Sequence, residues 1–143
     1  MFALLAFVSL CFADYLTITD CLNGTGPILP TSAYMEPDPA VRGEDLTVNF
    51  TMNVTETVDT LDCTAALKVL SITLQKYEYD ICTKLGCPLS EGEYSFSFTK
   101  TVPSTVPIGT FVLQVQCTDA DGNDNLCVKT NVTISNITSS SST

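Results

Sequence analysis

No histidine occurs among the 143 residues. That absence removes Ser-His-Asp and Cys-His catalytic arrangements and the side chain whose charge ordinarily changes near neutral pH. Any pH response must then run through carboxylates. Tryptophan is absent too, so a sandwich core here lacks the buried Trp that antibody domains place between their sheets. Basic side chains are scarce: six Lys and Arg stand against sixteen Asp and Glu, for a net charge of −10. Such a surface does not suit nucleic acid or non-specific adhesion to anionic membranes. It keeps neighbouring copies apart by like charge, as suits a monomer. No two cysteines have CxxC spacing, which with no histidine leaves no zinc pattern. Glu91 and Glu93 sit in a loop leading to a strand, where solvated charge is the ordinary state. The expectation is a protein with no catalytic residues, no metal and no cofactor.

What the sequence does contain points to a secretory route. Residues 1–13 carry no charge and are almost wholly apolar, and Cys11 and Ala13 put small residues at the −3 and −1 positions of a cleavage site. This reads as a signal peptide removed before Asp14; a membrane span needs about 20 apolar residues. The expected division is a signal at 1–13, one domain at 14–136 and a polar tail at 137–143. Removing Cys11 leaves six cysteines, Cys21, Cys63, Cys82, Cys87, Cys117 and Cys127. An even number in an oxidising compartment implies disulfides, with about 15 possible pairings. Cys82 and Cys87 enclose four residues including Gly86, a small loop that a disulfide would pin at the start of the next strand. Sequons begin at Asn23, Asn49, Asn53, Asn131 and Asn136, and glycosylation at these positions fits the same route.

Strand character dominates the remainder. Leu46, Val48, Phe50, Met52 and Val54 alternate with Thr47, Asn49, Thr51, Asn53 and Thr55, the two-residue period of a half-buried strand. Cys63, Ala65, Leu67 and Val69 share a face of a second strand, and Leu70–Leu74 reads as buried on both faces. Tyr94, Phe96 and Phe98 alternate with Ser95, Ser97 and Thr99; Phe111, Leu113, Val115 and Cys117 alternate with Gln114 and Gln116. Val128, Val132 and Ile134 mark a last strand, and Tyr15–Thr19 a first. Pro27, Pro30, Pro37 and Pro39 read as one connection, 86–92 and 103–109 as two more, and Asp119–Asp124 as a hairpin turn. An EF-hand would need Gly sixth and Glu twelfth from Asp119; Gly122 is fourth and Thr130 twelfth. No stretch keeps a helical period. The reading is all-β: an immunoglobulin-like two-sheet sandwich of about seven antiparallel strands.

One stretch carries a resemblance. Ile81-Cys82-Thr83-Lys84-Leu85-Gly86-Cys87-Pro88-Leu89 precedes an alternating strand; Val106-Pro107-Ile108-Gly109-Thr110-Phe111 launches another, which ends near Cys127. This spacing resembles the ML (MD-2-related lipid recognition) family, and most closely its branch of Niemann-Pick C2-like and phosphatidylglycerol/phosphatidylinositol transfer proteins. The resemblance implies a disulfide-stapled sandwich with an apolar cavity between its sheets. It also implies Cys82–Cys87 and Cys21–Cys127 disulfides. Cys63 and Cys117 then remain, each on the apolar face of its strand and so suited to each other, a pair by which the chain departs from that branch.

By the same resemblance, the inward positions Val48, Phe50, Met52, Leu67, Val69, Tyr94, Phe96, Phe98, Phe111, Leu113 and Val115 would line a lipid pocket. Tyr94 and the 103–109 corner would gate it, and Lys84 or Lys100 could meet a phosphate. The implied partner is a sterol or phospholipid, carried between membranes through transient contact in the secreted space or the endosomal and lysosomal lumen. Burying an alkyl chain yields about 0.8 kcal/mol per methylene, hence on the order of 12 kcal/mol for roughly 16 carbons. The alternative is a secreted recognition module with a closed core, meeting a protein or glycan through its loops.

Overall fold

The computed structural model describes residues 15–136; the expected signal and polar tail lie outside the described residues. The elements in chain order are β1 (Ile18–Asp20), β2 (Ile28–Glu36), β3 (Ala40–Val41), β4 (Asp45–Val54), β5 (Asp62–Val69), β6 (Ile72–Asp80), α1 (Ile81–Leu85), β7 (Gly92–Thr101), β8 (Gly109–Thr118) and β9 (Asp124–Ser135). Alternation sets the faces. In β4, Val48, Phe50, Met52 and Val54 are buried while Thr47, Asn49, Thr51 and Asn53 are only half-buried. One sheet runs β1-β9-β8-β5-β6, with β3 beside β9 in parallel; the other runs β2-β4-β7. All other strand pairs are antiparallel. The apolar faces meet in a core that joins Phe50, Met52 and Val54 of the small sheet to Cys63, Ala65, Val115, Cys117 and Val128 of the large one. The expected all-β sandwich is the observed one.

Three expectations give way. The proline-rich 27–39 segment is not one connection, because β2 occupies most of it. Pro30 is tolerated there because β2 is an edge strand and its register shifts between Pro30 and Ser32, where no ladder bond is needed. Leu70–Leu74 is not buried on both faces: Leu70 is 90% exposed in a turn with φ 56° and Ile72 is 61% exposed. The first strand begins at Ile18 rather than Tyr15. A one-turn helix also appears. α1 starts where the Asp80 carboxylate accepts from Cys82 N at 3.0 Å and Thr83 Oγ1 at 2.8 Å. It ends at Gly86, whose φ of 78° suits a residue without Cβ. Five residues are too few to show a period.

The two sheets are joined unequally at their sides. On one side, Leu16 N donates to Ala33 O of β2 at 2.7 Å, and the Tyr15 and Tyr34 rings meet at 5.8 Å. On the other, the edge strands β6 and β7 share no ladder. Only α1 bridges their far end, clamped by Cys82–Cys87. Cys63–Cys117 links directly opposed residues of β5 and β8. Cys21–Cys127 ties the turn after β1 to β9, closing a separation of 106 residues.

The 119–123 turn uses the carboxylate that hinted at a metal. Asp119 Oδ1 accepts from Asn123 N at 2.9 Å and Asp121 N at 3.0 Å. The Asn123 backbone bond, more than any other contact, holds the Asp119 carboxyl below its ordinary value. A depressed folded value gives stability that is present above the unfolded value and lost as pH falls through the folded one. The Asp119 carboxyl carbon should therefore titrate below 3.8 by NMR; a midpoint at or above that value would contradict the turn geometry.

Candidate functional site

An apolar cleft of about 70 Å³ lies between the sheets beside the unpaired β6 and β7 edges. Leu46 and Val48 of β4 and Phe98 and Lys100 of β7 form one wall. Ala65 and Leu67 of β5, Leu113 of β8, and Val132 and Ile134 of β9 form the other. Gln75, Tyr77 and Tyr79 of β6 close the side, and Val102, Pro103 and Val106 cap the end. The cleft therefore sits at the end of the sandwich away from α1.

Of the expected lining positions, Val48, Leu67, Phe98 and Leu113 reach this cleft. Phe50, Met52 and Val115 lie instead in the main core, with Tyr94 and Phe96 against it. Phe111 belongs to a second cluster, with Val69 against it. Strand parity assigns a face, not a depth along the strand, and near α1 the intersheet space is filled by Leu61, Ile81 and Leu89. Phe50 and Phe96 pack ring to ring at 5.4 Å. Tyr94 lies outside the cleft lining, and its hydroxyl donates to Ser90 O at 2.9 Å. The 103–109 corner does contribute, through Pro103 and Val106. Of the two lysines, Lys84 donates to Ser97 O at 2.9 Å and lies outside the lining, whereas Lys100 lines the cleft. The β6 wall was missed. Its signal was there: Gln75, Tyr77 and Tyr79 alternate with Lys76, Glu78 and Asp80.

Side chains alone hold the β6–β7 rim together. The Tyr79 and Phe98 rings meet at 4.9 Å, and Lys100 Nζ lies 5.5 Å and 5.9 Å from the Tyr77 and Tyr79 ring centres. The Tyr79 hydroxyl is buried with no hydrogen-bond partner, the one such side-chain atom among the described residues. Leaving a buried polar atom unpaired costs about 1–3 kcal/mol, so native structures keep few of them. Burial first, and then the neighbouring Tyr77, push its pKa up to about 12. It is a protonated donor throughout the physiological range.

Beyond the cleft, an apolar tip projects. Leu70, Ile72 and Ile108 are 90%, 61% and 54% exposed. They share one end, because Lys68 near the close of β5 is opposite Val112 near the start of β8. Of the sequon residues, Asn49 and Asn53 lie on the outer face of the small sheet, Asn131 on that of the large sheet and Asn23 in a turn, while Asn136 follows β9 at the same end as Ile108, since Gly109 is opposite Ile134.

Comparison with known proteins agrees with this architecture. The ML domain pattern matches residues 16–134. A Dictyostelium discoideum protein carrying the provisional name phosphatidylglycerol/phosphatidylinositol transfer protein 2 is 32% identical over 108 residues, covering 73% of this chain and 76% of its own length. Among solved structures, a Niemann-Pick type C2 protein from the Japanese carpenter ant superposes with a TM-score of 0.68 at 17% identity, over 83% of this chain and 99% of that one. Chicken MD-1, solved in complex with lipid IVa, superposes at 0.57 with 12% identity, over 81% and 87%. The resemblance first carried by the Ile81–Cys127 stretch thus extends over nearly all the described residues, and the chain belongs to the ML domain family.

Proposed function

We propose that this protein is a lipid carrier that shields an acyl or sterol body between its two sheets and exchanges it with membranes, without covalent chemistry. The observation that carries this reading is the apolar cleft beside an unknitted rim. Its volume is about 70 Å³, less than the ~150 Å³ that holds one benzene. A lipid tail therefore needs the sheets to part, and magnitudes favour that. The Tyr79–Phe98 ring pair contributes about 0.5–1.5 kcal/mol, and an exposed lysine over an aromatic ring about 0.5–1 kcal/mol. A long alkyl chain offers several times their sum. The names of the Dictyostelium relative and of the lipid-bound chicken structure support the same reading. Three disulfides fit the oxidising lumen of the secretory or endolysosomal route. Glycans at Asn49, Asn53 and Asn131 would project from the outer faces of the two sheets, away from the cleft between them.

The small volume also favours the rival reading, a closed-core recognition module. Native mass spectrometry of the secreted protein, after incubation with liposomes of mixed phospholipid and cholesterol, separates the two. A stoichiometric lipid adduct supports the carrier. A mass that stays lipid-free refutes it.

Membrane contact belongs at the Leu70, Ile72 and Ile108 tip, where apolar side chains already face water at the end of the cleft. Leu70→Ser with Ile108→Ser should slow transfer between vesicles about tenfold or more, since roughly 2–3 kcal/mol of interfacial burial is lost. Lipid affinity should be unchanged. Equal transfer rates would place the contact elsewhere.

A further inference from the structure

We propose that Tyr79 is the polar anchor inside the cleft, donating a hydrogen bond to an ester carbonyl of the bound lipid while Lys100 pairs with its phosphate. On this assignment the site selects a glycerophospholipid over a sterol. The inference rests on the carrier reading above and deepens it.

Several observations converge. Tyr79 lines the cleft, and its hydroxyl is the single buried side-chain polar atom left without a partner among the described residues. Neighbouring tyrosines do not share this condition; Tyr94, for one, is bonded to Ser90 O. An orphan donor in an otherwise apolar wall is satisfied by a ligand that brings an oxygen inside, not by a plain alkyl chain. The hydroxyl is buried in an apolar wall, where an uncharged acceptor costs far less to desolvate than an anion. The charged group of the ligand needs a second partner, and Lys100 supplies it. Reaching across from β7, its ammonium lies over the rings of Tyr77 and Tyr79, and no carboxylate pairs with it among the described residues. The site thus offers a neutral donor within and a cation outside, on one β6–β7 rim. A glycerophospholipid carries the matching pair, ester carbonyl below and phosphate above, within one headgroup. A sterol carries a single hydroxyl and would leave one of the two unanswered.

The test uses phosphatidylglycerol and cholesterol as probes, each presented from methyl-β-cyclodextrin so that no other glycerophospholipid competes, with affinities measured for the wild type, Tyr79→Phe and Lys100→Met. The wild type should prefer phosphatidylglycerol. Tyr79→Phe should weaken that binding about fivefold, the size of one neutral hydrogen bond. The same change should leave the lipid-free protein as heat-stable as the wild type or more so, since an unsatisfied group is removed. Lys100→Met should weaken binding a few-fold, and the deficit should shrink at high salt. An ether-linked dialkyl phosphatidylglycerol, which lacks the ester carbonyls, gives a check that does not depend on any variant's folding. The wild type should bind it about as weakly as Tyr79→Phe binds the ester lipid, and Tyr79→Phe should bind both lipids alike. Native affinity in Tyr79→Phe, or no preference between ester and ether lipids, overturns the anchor. Tighter binding of cholesterol than of phosphatidylglycerol overturns the selection. Uptake of neither probe by the wild type is a separate result, the failure of the carrier reading itself.

Discussion

A Leu67→Glu protein is expected to take up no lipid. Leu67 stands at the centre of the cleft wall on β5, between Gln75 of β6 and Leu113 of β8. A carboxylate there must either stay ionised beside an alkyl chain, at several kcal/mol of desolvation, or take up a proton. Several kcal/mol is a thousandfold or more in affinity, so binding falls below detection at neutral pH. The site stays partly open to water at the rim, so the lipid-free fold should survive. Burial raises a carboxyl pKa, so part of the binding should return near pH 4 as the glutamate neutralises. Leu67→Met keeps the volume and should bind nearly as the wild type does. Native affinity in the glutamate protein at pH 7 would mean that the tail lies elsewhere.

The second large effect concerns the ties between elements. Removing Cys21–Cys127 with paired serines should lower stability by about 4–5 kcal/mol, because the bond closes a loop of 106 residues and denatured-chain entropy grows with loop length. Removing Cys82–Cys87, which spans a separation of 5, should cost about 2 kcal/mol by the same relation. Calorimetric unfolding of both variants measures the order directly. A reversed order would show that the small loop stabilises through native contacts around α1 rather than through chain entropy.

Much of this molecule could be read from residue order alone. The strict alternation of Leu46 to Val54 and of Tyr94 to Thr99 gave β4 and β7 with the right faces, since a sheet with one wet side must repeat every two residues. Where prolines crowd, the same logic failed, because β2 is an edge strand that can spare ladder bonds. The site was only half legible. Parity placed Val48, Leu67, Phe98 and Leu113 inward, but it could not tell them from Phe50, Met52 and Val115, which face the same way and fill the far end of the core. That distinction depends on Leu61, Ile81 and Leu89 arriving from distant segments. Tyr79 was overlooked because a tyrosine among charged residues looks like ordinary edge decoration. Its missing partner is a property of three-dimensional surroundings.

The unpaired β6 and β7 edges carry one more consequence. An exposed strand edge is a template on which another chain can add, the usual beginning of fibrils and domain-swapped aggregates. A carrier that opened between two such edges would renew that hazard with every cycle. Along β6 the outward side chains are Lys76, Glu78 and Asp80, all exposed, and β7 opens with exposed Glu93. These charges act as guards against self-templating. The strongly acidic character of the whole chain extends the guard to copies that meet face to face, so colloidal stability is what permits this sandwich to leave its seam undone.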